Sequence, residues 1–174
     1  REGTASGLMC TPCSVVALEI CGADCQRSEY PARLHGAVRS LQRASRLQGG
    51  ELVELRHDHR GVFALVLVNA LPGYERRAAV RALRLAYDLG QALADQGLDM
   101  PAGVASGSAW TWPVGSRQAA VGPAVQRAVA LARSTTSELA CDSITAGLAS
   151  TRARLDPSPA GSEPGFLVEH VEPS

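Results

Sequence analysis

Residues 49–68, GGELVELRHDHRGVFALVLV, constrain what this chain can fold into more than any other stretch. Residues 51–56 partly alternate apolar and charged side chains, as a half-exposed strand does. Residues 57–61 read as a turn. Residues 62–68 are a continuous apolar run, suited to a buried strand. Together they predict a β-hairpin. Helical patterns flank it. Upstream, residues 31–48 place Leu34, Ala37, Val38, Leu41, Ala44 and Leu47 at helical spacing, with Pro31 in the first turn and Gly49-Gly50 as a stop. Downstream, residues 74–97 set Val80, Leu83, Ala86, Tyr87 and Leu93 on one face and Arg77, Arg81 and Arg84 on the other. A hairpin between two helices breaks the strict alternation of a parallel α/β sheet. It predicts an α+β fold, a mixed and largely antiparallel sheet covered by helices.

The rest of the chain extends that frame. Residues 1–13 read as a flexible lead-in and residues 14–174 as one domain, a length that suits a single core. Residues 14–21, SVVALEIC, read as a central strand. Residues 100–106 and 108–112 read as strands separated by Gly107. Pro123 opens a helix that runs to about Ser134. Residues 139–142 read as a short strand, Ser143 as the cap of a small helix at 144–150, residues 156–164 as a loop and residues 166–171 as a last strand.

Composition excludes several function classes. Seventeen basic residues balance seventeen acidic ones, so the totals carry no electrostatic footprint for nucleic acid or an acidic membrane. Every basic residue other than histidine is arginine. A lysine Schiff base and a G-x-x-x-x-G-K phosphate loop are therefore absent. No apolar run approaches the roughly 18 residues of a membrane span, and the first residues lack a signal-peptide core. Five cysteines, an odd number, argue against a disulfide scaffold and for a reducing, cytoplasmic setting. Cys10-x-x-Cys13 with Cys21 and Cys25 admits a zinc reading, against that of small apolar thiols.

Five segments in order resemble class III adenylate and guanylate cyclase catalytic domains. The family's D-I-x-G at the first strand is matched by Glu19-Ile20-Cys21-Gly22. Its glycine-aspartate hairpin pair is matched by Gly61-Val62, its G-I-x-x-G by Gly103-Val104-Ala105-Ser106-Gly107. Its helix start, glycine followed by V-N and then arginine, is matched by Gly122, Val125-Gln126 and Ala130. Its I-L-V-S segment and short helix are matched by residues 139–150, LACDSITAGLAS. The resemblance implies a ferredoxin-like core of the nucleotidyl cyclase type, with the first strand beside the second hairpin strand and Glu19 near Val62.

It also implies what the chain lacks. A cyclase of this family drives the ribose 3′-hydroxyl onto the α-phosphate with two divalent metals held by two carboxylates. Here Glu19 offers one carboxylate and Val62 none. Asp58 is a second candidate if the turn slides. The resemblance also implies a head-to-tail dimer with its sites at the interface, in which the asparagine and arginine that one chain supplies to the other's site would fall at Gln126 and Ala130, with Arg127 and Arg133 about one turn away from Ala130. The base-reading lysine and aspartate would fall near Asp58 and Ala119. Both composite sites of such a dimer are thus damaged.

The expected function is therefore a catalytically degenerate cyclase-homology domain, a regulatory or dimerising module of a larger signalling protein. Its expected partner is a second copy or another cyclase-like domain, with a nucleotide or other small molecule as ligand, and neither nucleic acid nor membrane. No cofactor is expected. Two alternatives stand beside it: a divergent active cyclase using Mg²⁺ or Mn²⁺ at Glu19 and Asp58, and an unrelated α+β ligand-binding or interaction domain. Three weaker patterns remain. His57-Asp58-His59 reads as a solvated turn or a ligand cluster. Ser106 sits in GVASG without the G-x-S-x-G frame. Trp110 and Trp112 share one side of a strand, as an exposed contact pair or as cover for a helix.

Overall fold

The computed structural model describes residues 7–22, 30–58, 61–115, 117–136, 138–158 and 165–173. The order is β1 (Met9–Gly22), α1 (Tyr30–Leu47), β2 (Glu51–Asp58), β3 (Gly61–Asn69), α2 (Glu75–Ala94), β4 (Leu98–Asp99), β5 (Ala102–Val114), β6 (Arg117–Val121), α3 (Pro123–Ser134), β7 (Leu139–Asp142), α4 (Ser143–Ala149), β8 (Ala153–Ser158) and β9 (Gly165–Val171).

The strands form one sheet in the order β2-β3-β1-β5-β7-β9-β8, with β4 on β1 and β6 on β5. Every pairing is antiparallel except β5 with β7. The predicted hairpin is β2-β3, and β1 lies beside β3 as expected. The expected α+β class holds.

Alternation along the central strands divides the interior. Val16, Leu18 and Ile20 of β1 face one side with Val62, Ala64 and Val66 of β3, beneath α1, α2 and α4. Val15 and Ala17 face the other side with Phe63, Leu65 and Leu67, beneath Ala124, Ala128 and Ala132 of α3. Small residues let α3 approach closely. A Cβ on Gly103 would meet the Ala132 amide nitrogen at 2.6 Å, so only glycine fits there.

Several boundaries move. β1 begins at Met9, because the pairing of residues 9–13 with residues 107–111 of β5 extends the ladder through the expected lead-in. β5 runs unbroken through Gly107, which pairs with Cys13. β4 and β6 are additional. β8 occupies part of the stretch expected to be loop. His57 and Asp58 close β2 rather than forming the turn. His59, Cys25 and residues 159–164 lie outside the described residues, as do the side chains of Asp58 and Arg117.

The charge balance is also uneven in space. α1 carries Arg33, Arg39, Arg43 and Arg46 and no acidic residue. α2 carries Arg76, Arg77, Arg81 and Arg84 against Glu75 and Asp88. Overall neutrality therefore hides a basic helical layer.

Candidate functional site

The face of the sheet under α3 carries a row of three side chains across three strands. Glu19 of β1 pairs with Phe63 of β3, which pairs with Arg56 of β2. Directly opposed residues share a face. Phe63 is buried, and the Arg56 guanidinium carbon lies 4.4 Å from its ring centroid, a cation–π contact. Arg56 also pairs with Glu54 at 3.2 Å. An aromatic ring thus separates the row's carboxylate from its guanidinium.

Val62 is not part of this row. It pairs with Ile20, one position along, and turns to the opposite face among the apolar residues under α1 and α2. The expectation that Glu19 and Val62 would lie together is corrected: they are diagonal neighbours in backbone register with side chains on opposite faces. A cleft lined jointly by Val62, Phe63 and Ala130 does not form. Asp58 pairs through its backbone with Gly61, at the end of the hairpin.

These residues do not fit two divalent ions. Mg²⁺ takes oxygen donors, and the described row supplies one carboxylate, followed by a phenyl ring and a guanidinium. Among the described residues no three His, Cys, Asp or Glu side chains converge on one point. The zinc reading meets a geometric limit as well. Cys13 and Cys21 sit in one extended strand, eight positions apart by number, which at about 3.3 Å per residue separates them by roughly 26 Å. Burial pushes the Cys13 thiol up to about 11. Burial, followed by the Asp142 charge, pushes Cys141 up to about 12. Both behave as small apolar groups.

α3 presents two different stripes. Gln126, Ala130 and Arg133 are exposed, at spacings that share the helix's outer side. Arg127 turns inward. Its Nε donates to Asp142 Oδ2 at 2.8 Å and its Nη2 donates to the Ser106 carbonyl at 2.8 Å. The sequence left Arg127 and Arg133 equivalent as stand-ins for a cation at Ala130. The fold separates them, since Arg127 is committed to the interior.

Asp142 is the hub of a buried polar network that sequence reasoning missed. Its Oδ1 accepts from the Thr145 amide at 2.8 Å, capping α4, and from the Ser106 amide at 3.4 Å. Asp142 rather than Ser143 is therefore the N-cap. The Ser106 hydroxyl lies 2.9 Å from that of Ser14 and 2.8 Å from that of Thr145. Those partners are hydroxyls, neither of them a general base, so Ser106 is built into the frame that joins β1, β5 and α4. The signal available was Asp142 three residues before Thr145 at a strand-to-helix junction.

On the arm formed by β5 and β6, Trp110 pairs with Cys10 on one side and Val121 on the other. Trp110 is 45% exposed and Val121 50% exposed, with Met9 and Val114 also exposed nearby. Trp110 is thus a surface group. Trp112 is half-buried.

No family model matches the chain, and no curated protein matches it significantly. Solved structures do match. The adenylyl cyclase CyaB from P. aeruginosa superposes with a TM-score of 0.77 at 15% identity, covering 95% of this chain and 97% of that one. The monomeric guanylyl cyclase domain of the RhoGC fusion protein from the aquatic fungus Blastocladiella emersonii gives 0.76 at 15% identity, covering 97% and 100%. The guanylate cyclase domain of RhGC from Catenaria anguillulae, in complex with GTP, gives 0.73 at 14% identity, covering 93% and 98%. With β1 beside β3 and α3 packed on the face of the sheet opposite α1 and α2, the chain has the fold of the catalytic domains of class III adenylyl and guanylyl cyclases.

Proposed function

We propose that this domain is a cyclase-homology module that has lost catalysis and acts by pairing with a second cyclase-like domain, as part of a signalling protein. The observation that carries the reading is the row Glu19–Phe63–Arg56, which has one carboxylate where two-metal chemistry requires at least two converging ones. The outer stripe of α3 adds to it. Ala130 has no charge, and Arg127 is held inward by Asp142. Losing a cation that stabilises phosphoryl charge costs several orders of magnitude in rate.

Pairing is supported by the arm. The row Cys10–Trp110–Val121 sets exposed apolar groups side by side on one surface, which is the kind of patch that associates. The preferred occupant is a second copy, and a related domain in a mixed dimer uses the same surface. Sedimentation across a concentration series tests it. A dimer weakened at least tenfold by Trp110→Ser is expected. A strict monomer at high micromolar concentration contradicts self-pairing.

A further inference from the structure

The basic helical layer contains a defined cleft. It opens between the N-terminal half of α2 and the turn after α4, with a volume of about 780 Å³. Arg76, Arg77, Arg81 and Arg84 enter it from α2, Arg152 enters from the turn, and Tyr74 stands at its lip, 59% exposed. This cleft lies on the side of the sheet covered by α1, α2 and α4. The Glu19–Phe63–Arg56 row lies on the opposite face, so nothing said of that row bears on the cleft.

Two of the arginines are held in place by the fold. Arg84 donates to Asp88 at 2.8 Å and to the Val171 carbonyl at 3.3 Å. Arg152 lies 3.6 Å from Glu172, the one carboxylate among the lining residues. Arg76, Arg77 and Arg81 make no ion pair or hydrogen bond among the described residues. Arg81 lies across the end of α1, over Gly49, whose missing side chain leaves it room. Five guanidinium groups therefore converge on this space, with Asp88 offsetting Arg84 and Glu172 offsetting Arg152. Their mutual repulsion is relieved by an anion that brings several charges at once. Guanidinium presents a planar fork of donors that matches phosphate oxygens two at a time. A volume of this size accommodates a small molecule rather than a single ion.

We propose that this cleft binds a polyphosphate anion, the phosphate chain of a nucleotide or of inorganic polyphosphate. The arginines take the phosphate oxygens. Tyr74 provides a ring at the lip against which a base can stack when the ligand is a nucleotide.

The test is calorimetric titration of the whole chain with inorganic tripolyphosphate and, separately, with ATP, in metal-free buffer at low and at physiological salt. Saturable one-to-one binding of tripolyphosphate is expected, weaker at the higher salt. Arg77→Gln with Arg81→Gln should weaken it at least tenfold. Neither side chain has an ion-pair or hydrogen-bond partner among the described residues, so the unfolding midpoint should hold. The exposed pair Arg76→Gln with Arg77→Gln gives a second reading of the same site. Arg39→Gln with Arg43→Gln, on the outer face of α1, should change affinity less than twofold. Tighter binding of ATP than of tripolyphosphate, lost in Tyr74→Leu, identifies a nucleotide as the source. Equal binding of the two identifies the phosphate chain alone. No saturable binding overturns the proposal. So does an equal loss in the α1 variant, which would mean a diffuse field, or binding only to phosphatidylserine vesicles.

Discussion

Removing the Arg127 guanidinium probes the buried network directly. In Arg127→Met the stem still packs against the sheet, but both 2.8 Å hydrogen bonds disappear. The Asp142 side chain, 6% exposed, then keeps its charge with only the amides of Thr145 and Ser106 as donors. Removing one partner of a fully buried pair costs about 3–5 kcal/mol. Arg127 is 24% exposed, and Asp142 retains two backbone donors, so the expected cost is lower, about 2–3 kcal/mol. In a domain of this size each kcal/mol lowers Tm by about 2–4 °C, which predicts a fall of about 4–12 °C. Asp142→Ala should cost more, since it also removes the α4 cap, worth about 1 kcal/mol. Adding Asp142→Asn to Arg127→Met should recover about 1 kcal/mol, because the amide oxygen still caps the helix and no charge is left buried. Urea unfolding followed by circular dichroism closes the double-mutant cycle. A loss below about 0.5 kcal/mol in Arg127→Met, or an additive cycle, would refute the reasoning.

Two further outcomes follow from burial. Val62→Asp should destabilise the domain by at least about 3 kcal/mol and yield no cyclic nucleotide, because the new carboxylate enters the apolar face beside Ile20 rather than joining Glu19; a stable, active variant would contradict the assignment of faces. The thiols of Cys13 and Cys141 ionise near 11 and 12 in the fold against a reference of 9.0, so the folded chain keeps protons that the unfolded chain releases. Their contribution to stability is complete below pH 9 and falls between there and pH 12. The urea midpoint should drop across that range in the parent and less in Cys13→Ala with Cys141→Ala, and equal drops in both would argue against it.

The hairpin, the two long helices and the core of β1 were legible because each buries one face at the period of its element. β8 was not. Its ARLDPS sequence is polar and contains Pro157, which an outermost strand paired only with β9 tolerates. β5 was split at Gly107 because glycine reads as a break in isolation, whereas the Cys13–Gly107 pair is set by a distant strand. The site was legible by residue type and less so by geometry. Period-two alternation assigns Glu19 to one face of β1, but which residue of β3 joins it depends on register, and a one-residue difference exchanges Phe63 for Val62. The Arg127–Asp142 pair and the Ser14–Ser106–Thr145 contacts join segments far apart in sequence, so no local pattern announces them. The basic cleft was half visible. Arg77, Arg81 and Arg84 mark the outer face of α2, while Arg152 reaches it only through the fold.

The proposed loss of catalysis rests on the single carboxylate of the Glu19–Phe63–Arg56 row. The most direct measurement incubates the purified chain with Mn²⁺ and ATP or GTP and quantifies cyclic AMP and cyclic GMP by chromatography with mass detection. The account predicts no product above a protein-free blank with either triphosphate. Turnover above that blank, abolished by Glu19→Ala, would contradict it.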